Sequence, residues 1–144
     1  MLKSVITLLT LSFSGMAHAT GGVHCLYESE DLKFGISAVT SRSFVDALVS
    51  AQGGVEAFSD GAPSNSFYQL ARGDIRQYWN YGNKLNLLIY SEKDVEGSPL
   101  SSVKIVIETK SSDDINYTGK MRVEYSEGDK TWSASDRDII CTRE

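Results

Sequence analysis

The stretch Gly73 to Tyr90, GDIRQYWNYGNKLNLLIY, constrains the fold more than any other, because two alternating runs meet at a Gly-Asn pair in the manner of a β-hairpin. A three-residue loop at Tyr81-Gly82-Asn83, with Asn83 in the left-handed conformation, pairs Asn80 with Lys84 and Trp79 with Leu85. That register gathers Ile75, Gln77, Trp79, Leu85, Leu87 and Ile89 on a core face. It leaves Arg76, Tyr78, Asn80, Lys84, Asn86, Leu88 and Tyr90 on the outer one. A two-residue loop at Gly82-Asn83 would set the leucines against Arg76, Tyr78 and Asn80, since a slip of one residue exchanges the faces. The three-residue loop is therefore the expected one.

The rest of the chain has the same period. Val23 to Glu28 and Leu32 to Val39 alternate on either side of the turn Ser29-Glu30-Asp31, which predicts an opening hairpin with Val23, Cys25, Tyr27, Leu32, Phe34, Ile36 and Ala38 inward. Ser43 to Gln52 fits either a short helix capped by Ser43 and Asp46 or a strand that turns at Gly53-Gly54 into Val55 to Phe58. The strand is expected, because every neighbour is β. Ser59 to Ser66, Ser91 to Ser102 and Ser111 to Asn116 are polar loops. Val103 to Thr109 and Tyr117 to Tyr125 alternate strictly. Glu127-Gly128-Asp129 turns the chain into Lys130 to Ala134, with Trp132 under the sheet, and Asp138 to Thr142 closes it. Eight to ten short strands with regular turn signals predict an all-β fold: a small antiparallel β-sandwich or a partly open barrel.

Residues 1–19 have the build of a cleaved secretory signal peptide. Lys3 is the positive start, Val5 to Phe13 the apolar run, and Ala17-His18-Ala19 the small-residue cleavage site. Residues 20–144 are then expected to be a single extracytoplasmic domain, periplasmic or secreted, without a lipid anchor or an integral membrane segment. In that compartment the only two cysteines, Cys25 and Cys141, are expected to form a disulfide joining the first and last strands. Losing Lys3 from the 14 lysines and arginines leaves 13 against 19 acids, which disfavours nucleic acid as a partner and favours encounter with a basic one.

Catalytic constellations are sparse. After cleavage His24 is the only histidine, it lies across its strand from Cys25, and the chain has no G-x-S-x-G elbow, P-loop or dinucleotide fingerprint. Acids are plentiful, but they sit in turns and at strand ends, and no pair is singled out for hydrolysis. No catalytic residue, cofactor or metal site is therefore assigned. Glu92, Asp94 and Glu96 alternate, yet they lack the glycine and the terminal glutamate of a calcium loop. Arg72-Gly73-Asp74 spells an adhesion tripeptide, a match too short to carry that reading.

Binding fits better. Arg76, Tyr78, Tyr81, Asn86 and Tyr90 around one hairpin, with the acids Glu92, Asp94 and Glu96 beyond it, are residue types that interfaces use. The expected function is that of an exported, non-enzymatic protein that binds a protein partner in the cell envelope, as an inhibitor, immunity or accessory factor. In size, compartment and strand content the chain resembles the small disulfide-closed β proteins that bacteria export as lysozyme inhibitors, and that resemblance implies a basic protein target. One alternative is a small-ligand carrier whose pocket is lined by Phe34, Trp79, Met121 and Trp132. A more distant one is a carboxylate-dependent hydrolase.

Overall fold

The computed structural model describes residues 20–41, 47–64 and 66–144. The expected signal peptide, and the start of the ambiguous 43–52 segment, lie outside these residues. Alternation of apolar and polar side chains produces nine strands: β1 (Thr20–Glu28), β2 (Leu32–Ser41), β3 (Leu48–Ala57), β4 (Tyr68–Ala71), β5 (Ile75–Tyr81), β6 (Lys84–Lys93), β7 (Ser101–Ser111), β8 (Asn116–Glu127) and β9 (Lys130–Arg143). All neighbours are antiparallel, and one ladder runs through them in the order β4-β3-β2-β1-β9-β8-β7-β6-β5. Of the two architectures the sequence allows, the nearly closed barrel forms, and no second sheet lies over it among the described residues.

β4 and β5 are separated only by the 3₁₀ turn Arg72–Asp74, and eight antiparallel steps around the sheet make them run in the same direction. β4 pairs with the second half of β3, from Gln52 to Val55, while β5 pairs with the first half of β6. Together they act as one broken strand that leaves β3 and joins β6, so the barrel has eight strand positions. Side chains stitch the seam. The Lys93 ammonium donates to the Phe67 carbonyl and lies 4.0 Å from the centroid of the Tyr68 ring, and Arg72 Nε donates to the Leu48 carbonyl at 2.9 Å. Tyr68 on β4 meets Tyr125 on β8 across the interior, with ring centroids 5.8 Å apart.

The interior is packed with the inward residues of every strand, including Phe34, Ile36, Leu85, Ile105, Met121 and Val123. Two glycines let the sheet curl this tightly. A Cβ on Gly53 would lie 2.1 Å from the Gly35 carbonyl oxygen, and one on Gly119 would lie 2.0 Å from that of Glu108, so neither position has room for a side chain. Gly53-Gly54 is thus not the turn expected from the sequence. β3 runs through it unbroken, and glycine is needed for close approach of the neighbouring strand.

β1 and β9 complete the closure over a ladder of only four pairs, from Val23 to Leu26, within which Cys25 faces Cys141 in a disulfide. Beyond Leu26 the two strands part, and an ion pair between Arg137 and Asp31 at 2.5 Å crosses the gap. Arg137 follows Asp136, whose φ of 54° marks a local irregularity in β9 as the β8–β9 register shifts between Met121 and Val123. The two closing strands expected at 130–134 and 138–142 are therefore one irregular strand of 14 residues. Trp132 is only partly buried, its ring edge-on to Tyr125 at 5.6 Å.

Candidate functional site

The β5–β6 hairpin corrects the expected register. Tyr81 pairs with Lys84, Asn80 with Leu85 and Trp79 with Asn86, so the loop is the two residues Gly82-Asn83. Gly82, with φ of 59°, supplies the left-handed residue in place of Asn83, and glycine adopts it without steric cost. The faces of β5 are consequently exchanged: Tyr78 packs against the core, while Gln77, Trp79 and Tyr81 point outward. A bulge at Arg76 restores Ile75 to the inner face opposite Ile89.

The outer face of β5, β6 and β7 that results holds a shallow groove of about 630 Å³. Trp79 stands over it at 59% exposure, and Leu88, Val106, Gln77, Asn86, Lys84, Lys104 and Glu108 complete its walls. Tyr81, 77% exposed, meets Trp79 edge to face, with centroids 6.4 Å apart and planes inclined at 63°. The Asn86 amide is fixed by accepting a hydrogen bond from the Thr109 backbone at 3.2 Å. Arg76 lies 5.8 Å from the centroid of Tyr90, whose hydroxyl donates to Glu92 at 2.5 Å. The Glu92 carboxylate beside it raises the Tyr90 hydroxyl above its ordinary pKa.

Of the residues singled out from the sequence, Arg76, Tyr81, Asn86, Tyr90 and Glu92 therefore share this outer face. Tyr78 does not, and Asp94 and Glu96 lie in the exposed 94–100 loop. Trp79 and Lys104 were missed: Trp79 because the loop length was misread, and Lys104 because cross-strand pairing alone places it opposite Tyr90. The signal for Trp79 was the alternative two-residue loop.

Elsewhere, the Arg72-Gly73-Asp74 tripeptide is tied into the seam by Arg72, and Asp74 accepts a hydrogen bond from the Ala71 backbone at 2.8 Å. His24 Nδ1 lies 3.0 Å from Ser37 Oγ in a second outer groove lined by Gly22, Gln52 and Glu144. Leu26 and Ile140 form an exposed cross-strand pair beside a third groove containing Phe67. The expected carrier lining does not converge: Phe34 and Met121 are in the packed core, Trp79 is outside the barrel, and Trp132 is half-buried against Tyr125. Among the described residues no group of three histidine, cysteine or carboxylate side chains could hold a metal ion, and no helix is long and apolar enough to cross a membrane. Comparison of the chain with protein-family models, curated proteins and solved structures returns no match.

Proposed function

We propose that this chain is an exported, non-enzymatic binding protein that docks a protein partner in the cell envelope through the outer face of β5–β7. The observation that carries the reading is the pair Trp79 and Tyr81, both more than half exposed, beside a groove whose lining includes Leu88 and Val106. Tryptophan and tyrosine dominate binding energy at interfaces because they bury large areas with few rotatable bonds, and arginine joins them through its planar fork of hydrogen-bond donors. Side chains of this size left in water contribute little to folding, so their placement is better explained by a surface that becomes covered. The carrier reading lacks a comparable observation, and so does a carboxylate-dependent hydrolase. A basic partner follows from the overall charge of the chain, but the local charge of this face has the opposite sign.

The test is affinity capture from envelope extract with the immobilised protein, run in parallel with a Trp79→Ala/Tyr81→Ala variant and a Leu26→Ala/Ile140→Ala variant. The expected result is a partner retained by the wild type and the second variant and lost with the first. Loss with the second variant alone would move the docking face to the Leu26 groove and overturn the assignment.

A further inference from the structure

The docking face carries charge of a sign opposite to that of the chain as a whole. On the outward positions of β5–β8, Arg76, Lys84, Lys104, Lys110, Lys120 and Arg122 face three carboxylates, Glu92, Glu108 and Glu124, in a chain where acids outnumber bases 19 to 14. Lys120 is neutralised by Asp138 at 2.7 Å. Among the described residues, Lys84, Lys104, Lys110 and Arg122 form no ion pair, and Arg76 is held over the Tyr90 ring. The cations are also ordered in space. Lys84 pairs across the ladder with Lys110 at one end of the groove, and at the other Lys104 stands between Tyr90, under Arg76, and Glu124, with which it forms no ion pair. Six residues of β6 separate the two ends, which is about 20 Å of extended chain. Between them lie Trp79, Leu88 and Val106.

Resting on the docking reading above, we infer that the partner presents an acidic, extended segment with an apolar anchor. The anchor enters the groove against Trp79, Leu88 and Val106. Carboxylates about six residues apart meet Lys84 and Lys110 at one end and Lys104 and Arg76 at the other. Charge complementarity of this kind sets orientation and speeds encounter. Glu108, the one carboxylate in the groove wall, faces Lys120 across the ladder and turns away carboxylates placed at the centre of the segment. An acidic polysaccharide would share the cations, but the rings of Trp79 and Tyr81, inclined at 63°, present one face and one edge instead of a coplanar platform for sugars.

The probe is a fluorescein-labelled ten-residue peptide with two carboxylates at each end and a leucine-phenylalanine centre, titrated with the purified protein by fluorescence anisotropy. Binding is expected to weaken at least tenfold between 20 and 200 mM salt, as screening of solvent-exposed charges requires. It is also expected to weaken at least tenfold in Lys84→Glu/Lys104→Glu and in Trp79→Ala, and to be absent for the same peptide with lysines in place of the acids. Failure of the acidic peptide to bind at low salt, or binding undiminished by Lys84→Glu/Lys104→Glu, would overturn the inference. Equal binding of polygalacturonate, insensitive to Trp79→Ala, would overturn it in favour of a polyanion. If the envelope partner lost with Trp79→Ala/Tyr81→Ala is retained by Lys84→Glu/Lys104→Glu, the acidic partner is refuted while the docking face stands.

Discussion

The Cys25–Cys141 disulfide sits in one of the shortest ladders of the barrel, the one that joins its first and last strands, and its removal gives a worked prediction. The β1–β9 ladder that closes the barrel has four residue pairs, whereas the β7–β8 ladder has eleven. The cysteines are 116 residues apart in sequence, so the crosslink closes nearly the whole domain into one loop. In the chain-entropy account a loop of that size removes about 16 cal/mol/K from the unfolded chain, or about 5 kcal/mol at 25 °C. Both sulfurs are fully buried, and replacing them with alanine leaves two small spaces, each worth about 1 kcal/mol. The Cys25→Ala/Cys141→Ala variant should therefore lose about 5 to 7 kcal/mol. For a domain whose total stability is of order 5 to 15 kcal/mol, it would then be close to unfolding.

The assay is urea unfolding at 25 °C followed by near-ultraviolet circular dichroism, for the wild type, the alanine variant and the wild type in reductant. Reduction leaves the sulfur atoms in place, so the difference between the reduced protein and the variant isolates the packing share. A loss below about 2 kcal/mol on reduction would refute the reasoning. It would mean that four ladder pairs, the reciprocal backbone hydrogen bonds of Gly22 with Glu144 and the Arg137–Asp31 bridge close the barrel unaided.

Gly119→Ala should lower stability by at least about 2 kcal/mol, because its Cβ would collide with the Glu108 backbone, a group that cannot rotate away. Gly82→Ala meets open space and should cost only about 1 to 2 kcal/mol for its left-handed backbone, so thermal melts of the two variants rank collision against conformation. Asp113 accepts hydrogen bonds from the backbone N–H groups of Ile115 and Asn116 and from the Asn116 amide, which hold its carboxyl well below the ordinary value of 3.8. A folded pKa below the unfolded one means that its stabilisation is present above pH 3.8 and is lost as pH falls through the folded value. Asp113→Asn should accordingly flatten the dependence of the urea midpoint on pH between 2 and 4, and unchanged slopes would remove that account. Trp79→Ala/Tyr81→Ala should shift stability by less than about 1 kcal/mol, whereas Tyr125→Ala should cost about 3 to 5 kcal/mol from the barrel interior. Acrylamide quenching in Trp132→Phe should find the remaining Trp79 readily quenched, as a ring more than half exposed requires, and a protected indole would refute the outward placement.

Strand positions were legible because a residue period of two survives in any sheet that is dry on one side. The opening hairpin, the inward set Val103, Ile105 and Ile107, and the inward set Tyr117, Met121, Val123 and Tyr125 all follow from alternation alone. What alternation does not encode is the local departure from itself. Gly53-Gly54 is equally consistent with a turn and with a strand pressed against its neighbour, and only the Gly35 carbonyl decides between them. The irregularity at Asp136 rejoins two runs of opposite phase into one strand, which a reading of separate runs divides. The break between β4 and β5 is likewise a property of the closed barrel, since each segment alone reads as an ordinary short strand.

The exchange of faces on β5 shows how one such departure decides the candidate site. Pairing the apolar residues of β5 with the leucines of β6 demands a three-residue loop, and it treats Ile75 and Trp79 as a single inward set. Gly82 instead makes the shorter loop favourable, which turns Trp79 and Tyr81 outward and brings Tyr78 and Asn80 inside. Had the strand continued in that phase, Ile75 would be exposed at the seam and Arg76 would enter the core, which is costly for an ion. The bulge at Arg76 reverses the phase before that happens, placing the guanidinium over Tyr90 and Ile75 against Ile89. Two irregularities that cancel across five residues leave the core intact while holding an indole and a phenol in solvent. This compensated pair is how β5 keeps Ile75 in the core while it presents Trp79 and Tyr81 outward, and the docking role proposed for this face rests on that exposure.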